Sequence, residues 1–139
     1  EIFEDYQSAY KSGLRVIPNP TRIFDREKPV KIYYEIYGLS KDAFGQTHYQ
    51  VDYHVSPMET EKRLVAKVLK AIGKVVKQDS KETVTITTKQ TSYQNDQNEY
   101  LELEVNRSEP GDYKLTVTLT DQVADASVSK EARFKLIRR

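Results

Sequence analysis

The run Glu109-Pro110-Gly111-Asp112-Tyr113-Lys114-Leu115-Thr116-Val117-Thr118-Leu119-Thr120-Asp121 constrains the fold more than any other segment of this chain. A Pro-Gly turn feeds a strand in which Leu115, Val117 and Leu119 alternate with Lys114, Thr116, Thr118 and Thr120. A period of two is that of an antiparallel strand with one buried and one wet face. Tyr113 stands at the mouth of that strand. In immunoglobulin-like sandwiches a tyrosine so placed hydrogen-bonds back to the backbone and locks the corner between strands E and F. Leu115 falls where an antibody domain carries its second cysteine. The segment specifies architecture and says almost nothing about chemistry.

Other segments repeat the period. Leu14-Arg15-Val16-Ile17 is a brief strand stopped by Pro18-Asn19-Pro20, which cannot continue a ladder. From Val30 to Leu39, Val30, Ile32, Tyr34 and Ile36 face one way, and Lys31, Tyr33, Glu35 and Tyr37 the other. From Thr47 to Ser56, Tyr49, Val51, Tyr53 and Val55 alternate with His48, Gln50, Asp52 and His54. Further strands are expected over Thr83–Tyr93, Tyr100–Asn106 and a final stretch through Val128, Ala132, Phe134 and Leu136, with Ser92–Asn98 as a polar loop. Seven or eight short strands with turn signals between them predict a mostly β protein, an immunoglobulin-like or fibronectin-III-like sandwich. Residues 1–12 read as a lead-in or linker and 13–139 as a single domain.

One segment breaks the period. Between Glu59 and Lys77 the apolar residues Leu64, Val65, Val68, Leu69, Ile72, Val75 and Val76 fall within an arc of roughly 140° at helical spacing. Arg63, Lys67, Lys70, Lys74 and Lys77 fall in an opposing arc of about 80°. The expectation is an amphipathic α-helix with a basic face, inserted over 59–77.

Composition narrows the function classes. With no cysteine, disulfides, zinc-thiolate sites, iron–sulfur clusters and thiol nucleophiles are excluded together. Twenty-two basic against 21 acidic residues leave a net charge of +1, which is no electrostatic footprint for nucleic acid. No window approaches the length of a transmembrane helix. The chain starts at Glu1 without an initiator methionine and is expected to be a portion of something longer.

Three segments together carry a resemblance: Ile17-Pro18-Asn19-Pro20, the tyrosine-rich Ile32-Tyr33-Tyr34-Glu35-Ile36-Tyr37-Gly38-Leu39, and Pro110-Gly111-Asp112-Tyr113 with the strand to Asp121. From about Leu14 to Leu136 the chain resembles the C-terminal β-domain of bacterial GWxTD-domain proteins. The chain contains no tryptophan, so the motif that names the family would belong to an upstream domain. The resemblance implies a non-catalytic module of an exported, cell-envelope bacterial protein, periplasmic or outer-envelope in location. It carries over no catalytic residues.

Candidate sites are few. His48 and His54 are separated by roughly 20 Å of strand, too far to share a metal ion. Asp52 and His54 would need a third ligand, such as Glu35 from a neighbouring strand, and the preferred reading is an ordinary solvated strand face. No nucleophile elbow or phosphate-cradling glycine loop is present, so no enzyme activity, cofactor or metal is expected. Tyr33 and Tyr37 share an outward face; exposed aromatics stack on sugars or anchor protein partners, and contact with other protein is preferred. The helix covers the sandwich in the preferred reading, because its apolar side holds aliphatics only, whereas membrane-active helices carry Trp or Phe. The expected function is a protein-interaction or assembly module whose partners are its own upstream domain or envelope proteins. The surface is built from Tyr33, Glu35, Tyr37, Asp52, His54, Arg63, Lys67, Lys70, Lys74 and Lys77. A carbohydrate-binding module using exposed tyrosines is the alternative, and membrane-surface contact through the basic helix a further one.

Overall fold

A computed structural model describes residues 10–11, 14–15, 19–58, 75–78 and 83–139. In chain order the strands are β1 (Tyr10–Lys11), β2 (Leu14–Arg15), β3 (Ile23–Asp25), β4 (Val30–Ile36) and β5 (Thr47–Pro57). There follow β6 (Val75–Gln78), β7 (Val84–Ser92), β8 (Gln97–Leu103), β9 (Gly111–Asp121) and β10 (Ala126–Ile137). Six of them form one sheet in the order β3-β10-β9-β5-β7-β6, and β4 pairs with β8 in a second. β1 and β2 make a short antiparallel ladder of their own. Every pairing in the six-stranded sheet is antiparallel except β3 with β10.

The period of two explains the layering. On β5, Tyr49, Val51, Tyr53 and Val55 are buried while His48, Gln50, Asp52 and His54 stay half-exposed. On β7 the buried positions are Val84, Ile86 and Thr88, and on β8 Glu99, Leu101 and Leu103. Val30 and Ile36 close β4 at its two ends, with Ile32 and Tyr34 packed against the same core. The β4–β8 sheet lies over β5 and β7. Tyr34 meets Tyr53 edge-on at 6.0 Å, and Glu99 reaches Tyr49 and Gln90. A mostly β, sandwich-like arrangement is therefore present.

The Pro-Gly corner forms as its spacing predicts. Tyr113 Oη donates to the carbonyl of Glu109 at 2.6 Å, and the ring stacks on Phe134 at 5.7 Å. Gly111 holds φ at 146°, a region that side chains disfavour, so the turn needs glycine there.

Two expectations change. The helix over 59–77 falls mostly outside the described residues, as do Arg63, Lys67, Lys70 and Lys74. Its last turn is not helical: Val75, Val76 and Lys77 belong to β6, paired antiparallel with Thr87, Ile86 and Thr85 of β7. There is no helix among the described residues. The reason is the partner that β7 supplies: pairing with it outweighs a marginal helical period, and β-branched Val75 and Val76, two residues beyond Gly73, suit a strand. The loop expected over Ser92–Asn98 is shorter than that, because β8 starts at Gln97 and carries Glu99 into the core.

Candidate functional site

The connections at one end of the sandwich bring together side chains that are distant in sequence. Residues 37–46 join β4 to β5, residues 93–96 join β7 to β8, and residues 122–125 join β9 to β10. The register places all three at the same end, since Thr47 pairs with Ser92, Ile36 with Gln97 and Tyr49 with Asp121. Side chains then tie the loops together. Asn95 Nδ2 donates to the Leu39 carbonyl at 2.7 Å, and the Leu39 amide donates to the Asn95 carbonyl at 2.9 Å. Asp96 accepts from the Gly38 amide at 3.0 Å. Buried Asp121 accepts from the amides of Ser40 at 2.8 Å, Val123 at 3.0 Å and Ala124 at 3.1 Å. Burial opposes the Asp121 charge, but the Ser40, Ala124 and Val123 donors outweigh it and hold the carboxyl below its ordinary value.

Asp42 is the second organiser. It accepts from the amides of Phe44 at 2.8 Å and Gln46 at 2.9 Å, and its other oxygen meets His48 Nε2 at 2.7 Å. The Gln46 amide first, and then His48, lower its carboxyl below the ordinary value. On this pinned scaffold stand three aromatic rings in water: Phe44 at 86% exposure, and Tyr37 and Tyr93 at 68% each. Tyr93 Oη accepts from Gln46 Nε2 at 3.0 Å, which ties its loop to that of Phe44. Phe44 lies in the 37–46 connection, and Tyr93 where the strand expected over Thr83–Tyr93 meets the loop expected over Ser92–Asn98. A lone aromatic beside Asp42 and Gly45 was a usable signal, because nothing in such a loop can bury it.

Tyr33, Glu35 and Tyr37 lie together on the outer face of the β4–β8 sheet or at its end. Tyr33 Oη donates to Glu35 Oε1 at 3.1 Å, and Tyr37 Oη donates to Glu35 Oε2. Across the ladder Tyr33 pairs with Tyr100, and Lys31 with Glu102. Tyr100 Oη donates to Glu102 Oε1 at 2.9 Å, and Lys31 Nζ lies 3.5 Å from the same oxygen. Partial burial, followed by the Glu102 carboxylate, raises the Tyr100 phenol above its ordinary value. A cleft of about 190 Å³ opens between Tyr33 and Tyr100, with Gln94, Asp96 and Asn98 on its walls.

Asp52 and His54 sit on the outer face of the other sheet. Glu35 therefore does not join them, because β4 and β5 belong to different sheets rather than to neighbouring strands. Asp52 accepts from Thr87 Oγ1 at 2.6 Å and Gln50 Nε2 at 2.9 Å, and His54 Nδ1 meets Thr85 Oγ1 at 3.0 Å. Among the described residues no three His, Asp or Glu side chains converge as metal ligands. Lys77 is separated from any helical stripe by its place in β6.

Between the sheets lies a polar pair of networks absent from the alternation pattern. Glu99, 7% exposed, accepts from Tyr49 Oη at 2.6 Å and Gln90 Nε2 at 3.2 Å. Tyr34 and Tyr53 share a 2.5 Å hydrogen bond. Desolvation raises all three phenols above their ordinary value, Tyr53 to about 12, with Glu99 adding to the effect. These groups are satisfied and enclosed, so they act on the fold rather than on a ligand. Against this geometry, no protein-family model, no curated protein and no solved structure matches the chain.

Proposed function

We propose that this chain is a non-catalytic binding module that grips a partner protein through the loop end of an immunoglobulin-like sandwich. The observation that carries the reading is the trio Tyr37, Phe44 and Tyr93, exposed on loops that Asp42, Asn95, Asp96 and Asp121 hold in place. Exposed rings on a rigid base lose little conformational entropy on binding, which is why aromatics dominate interface energetics. Three features support the finer fold reading. Tyr113 makes the corner bond, β9 and β10 form the hairpin that follows it, and β4 and β8 make the opposing sheet. The assignment to exported GWxTD-domain proteins stays part of the proposal and rests on the residues that carry that resemblance.

The test compares wild type with a Tyr37→Ala/Phe44→Ala/Tyr93→Ala variant as baits for bacterial envelope proteins. A defined partner held by wild type and weakened on the order of a hundredfold by the variant, at unchanged melting temperature, is the expected result. A partner bound equally by both would overturn the reading. The Tyr33–Tyr100 cleft favours a second reading, recognition of a carbohydrate, since two aromatic rings stand among amides and carboxylates. Silence across a broad glycan array would remove it.

A further inference from the structure

The β10 side of the six-stranded sheet presents a different surface. β3 covers only Lys135–Ile137 of β10. Upstream of Ile23 the chain turns away. The Arg22 amide donates to the Asn19 carbonyl at 3.2 Å with Arg22 at φ 55°, and the Asn19 side chain braces the turn through Thr21 and Ile23. From Ala126 to Arg133, β10 consequently has β9 on one side and no strand on the other among the described residues.

The direction of the free groups follows from the register. Lys135 donates its amide to the Arg22 carbonyl at 2.9 Å, so its backbone faces the β3 side. The register with β9 is unbroken, so Ser127, Ser129, Glu131 and Arg133 point their amides and carbonyls the same way, into the open. The close Thr118–Ser129 and Thr120–Ser127 hydroxyl contacts, at 2.8 and 3.1 Å, agree, because directly opposed side chains approach most closely in non-hydrogen-bonded pairs.

This edge runs into a cleft of about 580 Å³ with Arg22, Arg133 and Lys135 on its walls and Ile23, Met58 and Phe134 as apolar lining. None of the three cations has an ion-pair partner among the described residues, whereas Asp112 on the same wall is already engaged. Lys130 adds a further charge along the strand, and Glu131 is turned to Lys114 at 3.8 Å.

We propose that the open edge of β10 and the cationic cleft at its end form one docking site, which takes an extended acidic peptide segment as an added strand. Main-chain bonds to Ser127, Ser129, Glu131 and Arg133 supply affinity, and the cleft selects carboxylate side chains. A second copy is the poorer occupant, because it would bring Lys130 and Arg133 against an edge that already carries them. The cleft lies at the end of the sandwich away from Tyr37, Phe44 and Tyr93, and the edge runs to it from the 122–125 connection. The site uses none of those three rings and stands or falls independently of them.

Titration of the whole chain with two blocked peptides tests it, one alternating glutamate with valine and one alternating lysine with valine. The expected result is binding of the glutamate peptide alone, weakened by salt and by on the order of tenfold or more in Arg133→Glu/Lys135→Glu. Ser129→Pro removes an edge-facing donor while sparing the β9 ladder, and is expected to lose binding at unchanged melting temperature. The proposal is overturned by no binding, by equal binding of the lysine peptide, or by full binding in Ser129→Pro. It is also overturned by a concentration-dependent dimer that excludes the peptide.

Discussion

β5 and β10 are nearly equal in length, at 11 and 12 residues, yet they live in different surroundings. β5 has a strand on each side and the β4–β8 sheet above it, and its inward residues are fully enclosed, Tyr53 at 0% exposure. β10 has one long neighbour, and from Ala126 to Glu131 it is exposed on both faces, Val128 at 57%. Strand formation therefore does not require burial along the whole strand, since the ladder with β9 continues past the point where the core ends. What β10 loses in packing it keeps as a surface. The two-sheet overlap, and not the hydrogen-bond ladder, sets where stability concentrates.

The largest expected effect sharpens the picture of the enclosed side. Tyr34, Tyr49 and Tyr53 have phenol pKa values raised in the fold above the ordinary 10.0, so the folded state holds protons that the unfolded state releases. Their contribution to stability is complete below pH 10.0 and declines as pH rises through the folded value of Tyr53, about 12. Phenolate absorbance from these three should therefore appear only with loss of the circular dichroism of the fold. Free titration of all ten tyrosines near pH 10.0 would break the contrast.

Next in size, Ile86→Ala on β7 should cost about 2–5 kcal/mol in denaturant unfolding, through lost burial and a residual cavity. Tyr113→Phe keeps the ring on Phe134 and removes only the bond to Glu109, so about 1 kcal/mol is expected. Thr88→Val should act in the opposite direction and stabilise by up to about 1 kcal/mol, because the buried Thr88 hydroxyl has no hydrogen-bond partner among the described residues. Smallest is Val128→Ala, expected within about 0.5 kcal/mol of wild type. A cost for Val128→Ala comparable to that of Ile86→Ala would mean that something covers the β10 face.

The loop end was the least legible part of the molecule. Tyr33, Glu35 and Tyr37 could be placed on one outward face by period alone, and Glu35 does hold both phenols. That Asp121 would reach Ser40, or Asn95 reach Leu39, has no local signature, because each bond spans more than half of a hundred residues of chain. That Phe44 and Tyr93 stand at one end of the molecule follows only from the register, which brings their loops together. Glu99 was hidden for a related reason. Glu99 has the parity of buried Leu101 and Leu103, but a carboxylate reads as solvent-facing unless its partners, Tyr49 and Gln90, are known to lie opposite.

The residues by themselves determined the strands with a clear period: β4, β5, β7 and β9, and the Tyr113 corner at the foot of β9. Alternation and turn chemistry are local, so they can be read from a few neighbouring side chains. Only the tertiary structure decided the partition into sheets, which separates Glu35 from Asp52 and His54, and the conversion of Val75–Lys77 into the edge strand β6. It also decided where the core stops along β10. Each of these depends on which strand lies beside or above another. That choice follows from long-range packing and loop closure, which no single segment encodes.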